Sequence, residues 1–230
     1  MLFGNKKKSA KYIVDVHCHI MPRIDDGSRN MTETIKMLKI AESEGITHMI
    51  ATPHFKSGHH NATPQKISEL INAVNDAAST LRINMNLYQG NEILYFEDMC
   101  SYIDSGKISR MNGTNHILVA HIERYACMVA DIDNIREIKH MGAQIQVNAS
   151  SITGSMGKDI KKFVHRLLKE ELVDYVGTDA HRCEHSRIPK MKECTQLLYK
   201  KYDEAYVDSI LYGNAFDRLL TDTNTLKENR

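Results

Sequence analysis

Short runs of β-branched and other apolar residues alternate along this chain with stretches whose apolar residues recur every three to four positions, a pattern that confines it to the α/β class. The run 12–20 reads as a first strand and 31–44 as the helix after it. Asn30 with Glu33 resembles a capping box, Ile35, Leu38 and Ala41 supply the stripe, and Gly45 stands at the C-terminal cap position. The runs 48–54, 86–93, 116–121, 144–149 and 175–178 read as further strands, six in all. Thr63 and Pro64 open a second helix, with Ile67, Leu70, Ile71, Val74 and Ala78 on one face; 132–141, 160–171, 191–202 and 205–212 read as helices too. No repeat, low-complexity tract or linker interrupts the series, so residues 1–230 are expected to form a single domain.

A formal net charge of +1 supplies no global field for nucleic acid or an anionic membrane, so an anionic substrate would have to be held by local groups. No run approaches the roughly 20 apolar residues of a spanning helix, and the basic stretch from Lys6 to Lys11 leads into residues too polar for an export signal. The five cysteines are odd in number and lack a C-x-x-C pair, which fits a reduced, cytoplasmic protein better than a disulfide framework or a thiolate zinc site.

The twelve histidines are the anomaly, and their positions matter more than their number. His17 and His19 finish the first predicted strand, His54 the second, Glu92 the third, His121 the fourth, and Asp179 with His181 the sixth. In parallel α/β folds the carboxyl ends of the strands form the functional face. Residues two apart on a strand share a face, so His17 and His19 can grip one ion while Cys18 points away. Asp179-Ala180-His181 repeats that geometry with one oxygen and one nitrogen donor, a mixture suited to Mn, Fe or Zn. Glu92 ends an apolar strand, where an unpaired charge is costly and a bridging role between ions removes the cost. His59 and His60 fall in a polar loop, and the other histidines have no strand-end placement.

Val14-Asp15-Val16-His17-Cys18-His19, Ile24-Asp25-Asp26-Gly27, Ala51-Thr52-Pro53-His54, Gly90-Asn91-Glu92-Ile93, Ala120-His121-Ile122-Glu123-Arg124-Tyr125 and Thr178-Asp179-Ala180-His181 resemble, in order, the motifs of the PHP-family protein-tyrosine phosphatases of bacteria. Those manganese-dependent enzymes accompany capsule and exopolysaccharide gene clusters. The resemblance implies a distorted β/α barrel and metal ligands at His17, His19, Asp26, His54, Glu92, His121, Asp179 and His181. It further implies about two or three Mn2+ ions, with Fe or Zn as alternatives, and phosphate-facing arginines at Arg124 and Arg187. The expected chemistry is hydrolysis of protein phosphotyrosine by a metal-activated water, with a bacterial tyrosine kinase as partner. A small phosphomonoester such as histidinol phosphate is the alternative substrate, and a non-catalytic relative that binds a tyrosine kinase is the alternative role. A cysteine nucleophile is excluded by spacing, because Cys18 and Arg23 are separated by four residues where the thiol enzymes need five.

One departure from the family stands out. Family members carry a further ligand glutamate, a helix and another strand before the His-x-Glu-Arg motif. Here 115–119 runs straight into Ala120-His121, with Ala120 near the place of that glutamate. About one βα unit is missing, leaving six strands where the family has seven. The open edge predicts either association with a second copy, a homo-oligomer, or lower stability.

Overall fold

The computed structural model describes residues 10–220, and within them the chain is an α/β protein whose paired strands all run parallel. Strands β1 (Val14–Cys18), β2 (His48–Ala51) and β4 (Asn86–Gln89) form a sheet in the order β1-β2-β4. Two short pairs accompany it: β3 (His54–Phe55) with β5 (Glu92–Ile93), and β6 (Gln146–Asn148) with β7 (Tyr175–Gly177). The β6-β7 pair continues the main sheet beyond β1, since Cys18 bridges Ala180, His19 N–H donates to the Ala180 carbonyl at 2.8 Å and Asp179 N–H to the His17 carbonyl at 2.8 Å.

The predicted second and third strands each break in two for local reasons. Pro53 has no N–H to give to a ladder, so β2 stops at Ala51 and β3 restarts at His54. At Gly90 a side chain would meet the Met111 sulfur at 2.8 Å, and Asn91 turns aside to bond the Pro53 carbonyl and the Ser109 N–H, at 2.9 and 2.7 Å. The β3-β5 pair beyond these breaks carries His54 and Glu92 in register. The expected strand 116–121 is corrected: only Leu118 makes a strand-like bridge, to Glu92, and His121 has left the extended region at φ 46°. With no partner on its other side, that segment has no second ladder to hold it extended. Among the described residues no ladder joins it to β6, so the sheet does not close there.

The helices α1 (Met31–Ser43), α2 (Pro64–Thr80), α3 (Met99–Asp104), α4 (Ala126–Ala130), α5 (Ile132–His140), α6 (Ala149–Thr153), α7 (Lys158–Lys169) and α8 (Lys192–Lys201) follow the strands, and α9 (Glu204–Asp208) and α10 (Asn214–Arg218), on either side of a π turn, are the last of the described helices. The cap expected at Asn30 forms by halves. Its side chain accepts from Glu33 N–H at 2.9 Å, but the Glu33 carboxylate pairs with Arg29 instead of returning to Asn30. At α2 the Thr63 hydroxyl accepts from Lys66 N–H, with Pro64 at the first position. Both sheet faces are apolar, as parallel sheets require. Cys18, Met49, Leu87, Val147 and Val176 pack towards the helices with Met37, Leu38, Val74 and Leu167, whereas Val14, Val16, Ile50, Leu118 and Tyr175 meet Met111 and Leu219 on the other side. No described helix is long and apolar enough to cross a membrane.

Candidate metal centre

The rim formed by the strand ends gathers the eight expected ligands. His17 and His19 leave β1 on one side with ring centroids 5.1 Å apart, while Cys18 is fully buried on the other. Each ring is held by its Nδ1: His17 against the Thr52 hydroxyl and His19 against the Asp25 carboxylate, both at 2.7 Å. A proton held at Nδ1 by such partners makes Nε2 the nitrogen offered to another ligand. Both Nε2 atoms then converge on Glu92 Oε2, at 3.9 and 3.1 Å, and on Asp179 Oδ1, at 3.6 and 3.7 Å.

Glu92 is the hub. Its Oε1 lies 2.8 Å from His121 Nε2 and its Oε2 2.9 Å from His54 Nδ1. His54 Nε2 in turn faces Asp26 Oδ1 at 3.1 Å, and His181 Nε2 faces the same oxygen at 3.5 Å. Three overlapping groups result, His19-Asp26-His54-His181, His17-His19-Glu92 and His17-His121-Asp179, each with ligand atoms within 4.8 Å of one another. His17 Nε2, His19 Nε2 and Glu92 Oε2 are buried and lack a hydrogen-bond partner. Unsatisfied polar atoms of that kind are rare in a folded core, and nitrogen and carboxylate donors aimed at one another fit a divalent cation.

The electrostatics follow from crowding. Burial first, and the neighbouring His19 second, push His17 down to about 3; burial and His19 likewise take His181 down to about 4. His19 goes the other way: burial opposes its charge, but the carboxylates of Asp25, bonded at Nδ1, and of Glu92, 3.1 Å from Nε2, lift it to about 9. Burial works against the Glu92 charge, yet the imidazoles of His121, His19 and His54 crowded around it hold it far below the usual carboxylate range.

The backbone is bent to make this possible. His121 and Asp179 both occupy the left-handed region, at φ 46° and 54°, which β-carbon sterics disfavour and functional sites often contain. Gly27 lets the Asp25–Gly27 loop fold back on β1, since a β-carbon there would lie 2.1 Å from the His19 carbonyl oxygen. The two expected arginines both reach Asp179. Arg124 Nη2 pairs with Oδ2 at 2.7 Å, and Arg187 Nη2 stands 3.6 Å from Oδ1 and donates to His181 Nε2 at 2.7 Å. Both side chains are partly exposed, so they border open space beside the cluster. His59 and His60 are exposed and stand apart from these ligand groups.

Sequence reasoning missed the supporting residues. Asp25 adjoins Asp26 and spacing alone does not say which one faces the cluster; Asp25 instead orients His19 and accepts from Gly27 and His54 N–H, at 2.8 and 3.1 Å. Thr52 lies two residues before His54 in a segment that bends, and Glu123, Gln146 and Asn148 look like ordinary polar residues until the fold buries them. Asp15 is also buried, pushed up to about 7 by that burial, and bonded to Thr178 and to His17 N–H.

Comparison with known proteins follows the same lines. The family model for capsular polysaccharide synthesis, CpsB/CapC, matches residues 13–120 and 117–220. The two stretches overlap at 117–120. Tyrosine-protein phosphatase YwqE of Bacillus subtilis is 28% identical over 217 residues, covering 83% of this chain and 85% of the relative. Tyrosine-protein phosphatase CpsB of Streptococcus pneumoniae is 25% identical over 234 residues, 88% and 96% of the two chains. A chain from the crystal structures of YwqE and CpsB, described as metal-dependent tyrosine phosphatases, superposes with a TM-score of 0.83 at 24% identity, over 92% of this chain and 96% of that one. The Escherichia coli phosphotriesterase homology protein, crystallised with phosphate, shares the fold more distantly, at a TM-score of 0.53 and 13% identity, over 92% of this chain and all of that one.

Proposed function

This chain belongs to the CpsB/CapC family of capsular polysaccharide synthesis, and from that premise we propose that it is a metal-dependent phosphatase acting on protein phosphotyrosine. The observation that carries the reading is the buried cluster of bare histidine and carboxylate atoms with two arginines at its edge. His17, His19, Asp26, His54, Glu92, His121, Asp179 and His181 are its metal ligands, with Mn2+ the expected ion and Fe or Zn the alternatives. A divalent cation held there supplies Lewis acidity and lowers the pKa of water enough to provide a nucleophile at neutral pH.

The residues of the chain supply the rest. Arg124 and Arg187, each within reach of Asp179, present guanidinium forks to the equatorial oxygens of a phosphoryl group, where charge accumulates during transfer. Asp25 and Thr52 hold His19 and His17 in the tautomer that leaves Nε2 free. Cys18 takes no part: it is buried away from the cluster, its thiol is pushed well above the usual range by burial, and it contacts the Ile50 carbonyl. We read the fold as a distorted β/α barrel one βα unit short, and the protein as a single cytoplasmic domain. Its substrate is a tyrosine-phosphorylated protein of the capsule system, with a bacterial tyrosine kinase as the first candidate.

The test compares kcat/KM of the manganese-reconstituted protein on a phosphotyrosine peptide and on histidinol phosphate. Preference for the peptide by about tenfold or more, abolished by EDTA, supports the reading. Preference for histidinol phosphate overturns the substrate, and inactivity on both with metal bound overturns the enzyme.

A further inference from the structure

The segment bearing His121 and Arg124 is joined to β6 by side chains rather than by a strand ladder. Below the rim the two are parted by an apolar cavity of about 600 Å3, whose walls include Val16, Met111, Leu118, Ile145, Tyr175 and Leu219. Three hydrogen bonds cross at the rim. His121 N–H donates to Gln146 Oε1 at 2.6 Å, and Glu123 Oε1 accepts from Asn148 N–H at 2.9 Å and from the Ser151 hydroxyl at 2.7 Å. Glu123, Gln146, Asn148 and Ser151 are all buried.

The two carboxamides form a chain with a fixed direction. A backbone N–H can only donate, so the oxygen of Gln146 must face His121 and its Nε2 must face the other way. That Nε2 donates to Asn148 Oδ1 at 3.0 Å and to the Val147 carbonyl at 2.9 Å. With its oxygen engaged, Asn148 turns Nδ2 to Asp179 Oδ2 at 3.1 Å, the oxygen that also takes Arg124. Oδ1 of Asp179 is thereby left to face His17, His19 and His181. Gly177 clears the path, because a β-carbon there would come within 2.9 Å of Gln146 Nε2 and 2.7 Å of His17 Cβ.

We propose that Gln146 and Asn148 are positioning residues of the metal centre: a directed amide relay that sets the carboxylate of Asp179 from the backbone of His121, across the part of the rim where no ladder does so. The proposal rests on the metal-dependent reading above. Flipping either amide sets donor against donor, so the relay selects one orientation of Asp179 and one spacing between it and His121, whose segment has no ladder to β6. A residue that only filled space would fix neither.

The test is manganese binding to the metal-stripped, folded protein, read from the electron paramagnetic resonance of free Mn2+ well below each unfolding temperature. Gln146→Leu and Asn148→Ala are each expected to weaken at least one manganese site by about 10–100-fold, the usual cost of losing an outer-sphere partner. Gln146→Glu keeps the acceptor for His121 but not the donor for Asn148, and falls between them and the parent. Met111→Ala enlarges the same cavity without touching the relay; it lowers Tm and leaves manganese affinity unchanged. Parental affinity in the folded relay variants overturns the proposal, as does an equal loss in Met111→Ala. If Gln146→Leu does not fold, Asn148→Ala and Gln146→Glu decide. Absence of manganese binding by the parent itself removes the metal-dependent reading, an outcome distinct from failure of the variants alone.

Discussion

Replacing Asp25 should cripple the proposed metal centre although Asp25 is not among its proposed ligands. Its carboxylate accepts from His19 Nδ1 at 2.7 Å, Gly27 N–H at 2.8 Å and His54 N–H at 3.1 Å. The first bond holds the His19 tautomer, and the third holds the backbone that carries a second ligand. A hydrogen bond to a charged group contributes about 1.5–3 kcal/mol, and at about 1.4 kcal/mol per factor of ten that is roughly 10–150-fold in manganese affinity. Asp25→Ala should show that loss. Asp25→Asn should fall at the lower end: an oxygen kept for His19 turns the amide nitrogen towards Gly27 N–H, donor against donor. A second signature lies in pH. His19 in the ion-free protein keeps its proton up to about 9, so cation binding near pH 7.5 displaces that proton and affinity should climb with pH until about 9. Without Asp25 the climb should level off at lower pH. Titration of free Mn2+ by electron paramagnetic resonance, with circular dichroism to confirm folding and exposed His59→Ala as control, reads both effects. A folded Asp25→Ala protein with affinity within about twofold of the parent, less than the smallest loss worked above, refutes the reasoning.

Arg124→Ala removes the guanidinium paired with Asp179 Oδ2 and should lower kcat on a phosphotyrosine peptide by about 10²–10³ with manganese still bound, and Arg124→Lys should not restore the rate; unchanged kcat removes the arginine from the site. Cys18→Ser should keep metal-dependent hydrolysis, because the thiol is fully buried on the far side of β1, and complete loss in a folded variant would bring back a thiol mechanism. Arg29→Ala breaks the pair that, with its hydrogen bonds first, draws Glu33 down from 4.5 to about 2. The Glu33 side chain is 4% exposed but its guanidinium partner 62%, so solvent screening keeps the loss small, a lowering of Tm by a few °C. Because the folded pKa is depressed, this stabilisation is present above pH 4.5 and fades as pH falls towards about 2, so parent and variant melts should converge in acid.

Part of the candidate cluster was legible in local spacing: His17-x-His19 and Asp179-x-His181 each bring two donors close in sequence, and the structure gathers those four with Asp26, His54, Glu92 and His121. Helix boundaries were legible where a cap announced them, as at Asn30 and Thr63. Periodicity could not reveal that Pro53 and Gly90 break two strands, because a continuous apolar run looks the same whether or not its hydrogen-bond ladder continues. It also made a strand of 116–121, whose apolar character comes from contacts with Met111 and Ala215 rather than from a second ladder. The supporting residues were invisible for a different reason. Asp25, Gln146 and Asn148 act through partners far away in sequence, and a carboxylate or carboxamide acquires its role only when the fold removes water from around it.

The central claim, that this rim is a working metal-dependent phosphatase centre, is tested most directly by p-nitrophenyl phosphate hydrolysis and metal analysis on one sample. The protein is stripped with EDTA, gel-filtered, reconstituted with manganese and assayed before and after. The account predicts negligible hydrolysis by the stripped protein, and recovery in step with uptake of about two or three ions per chain. Full hydrolysis by the metal-free protein, or none by a protein carrying its full manganese complement, would contradict it.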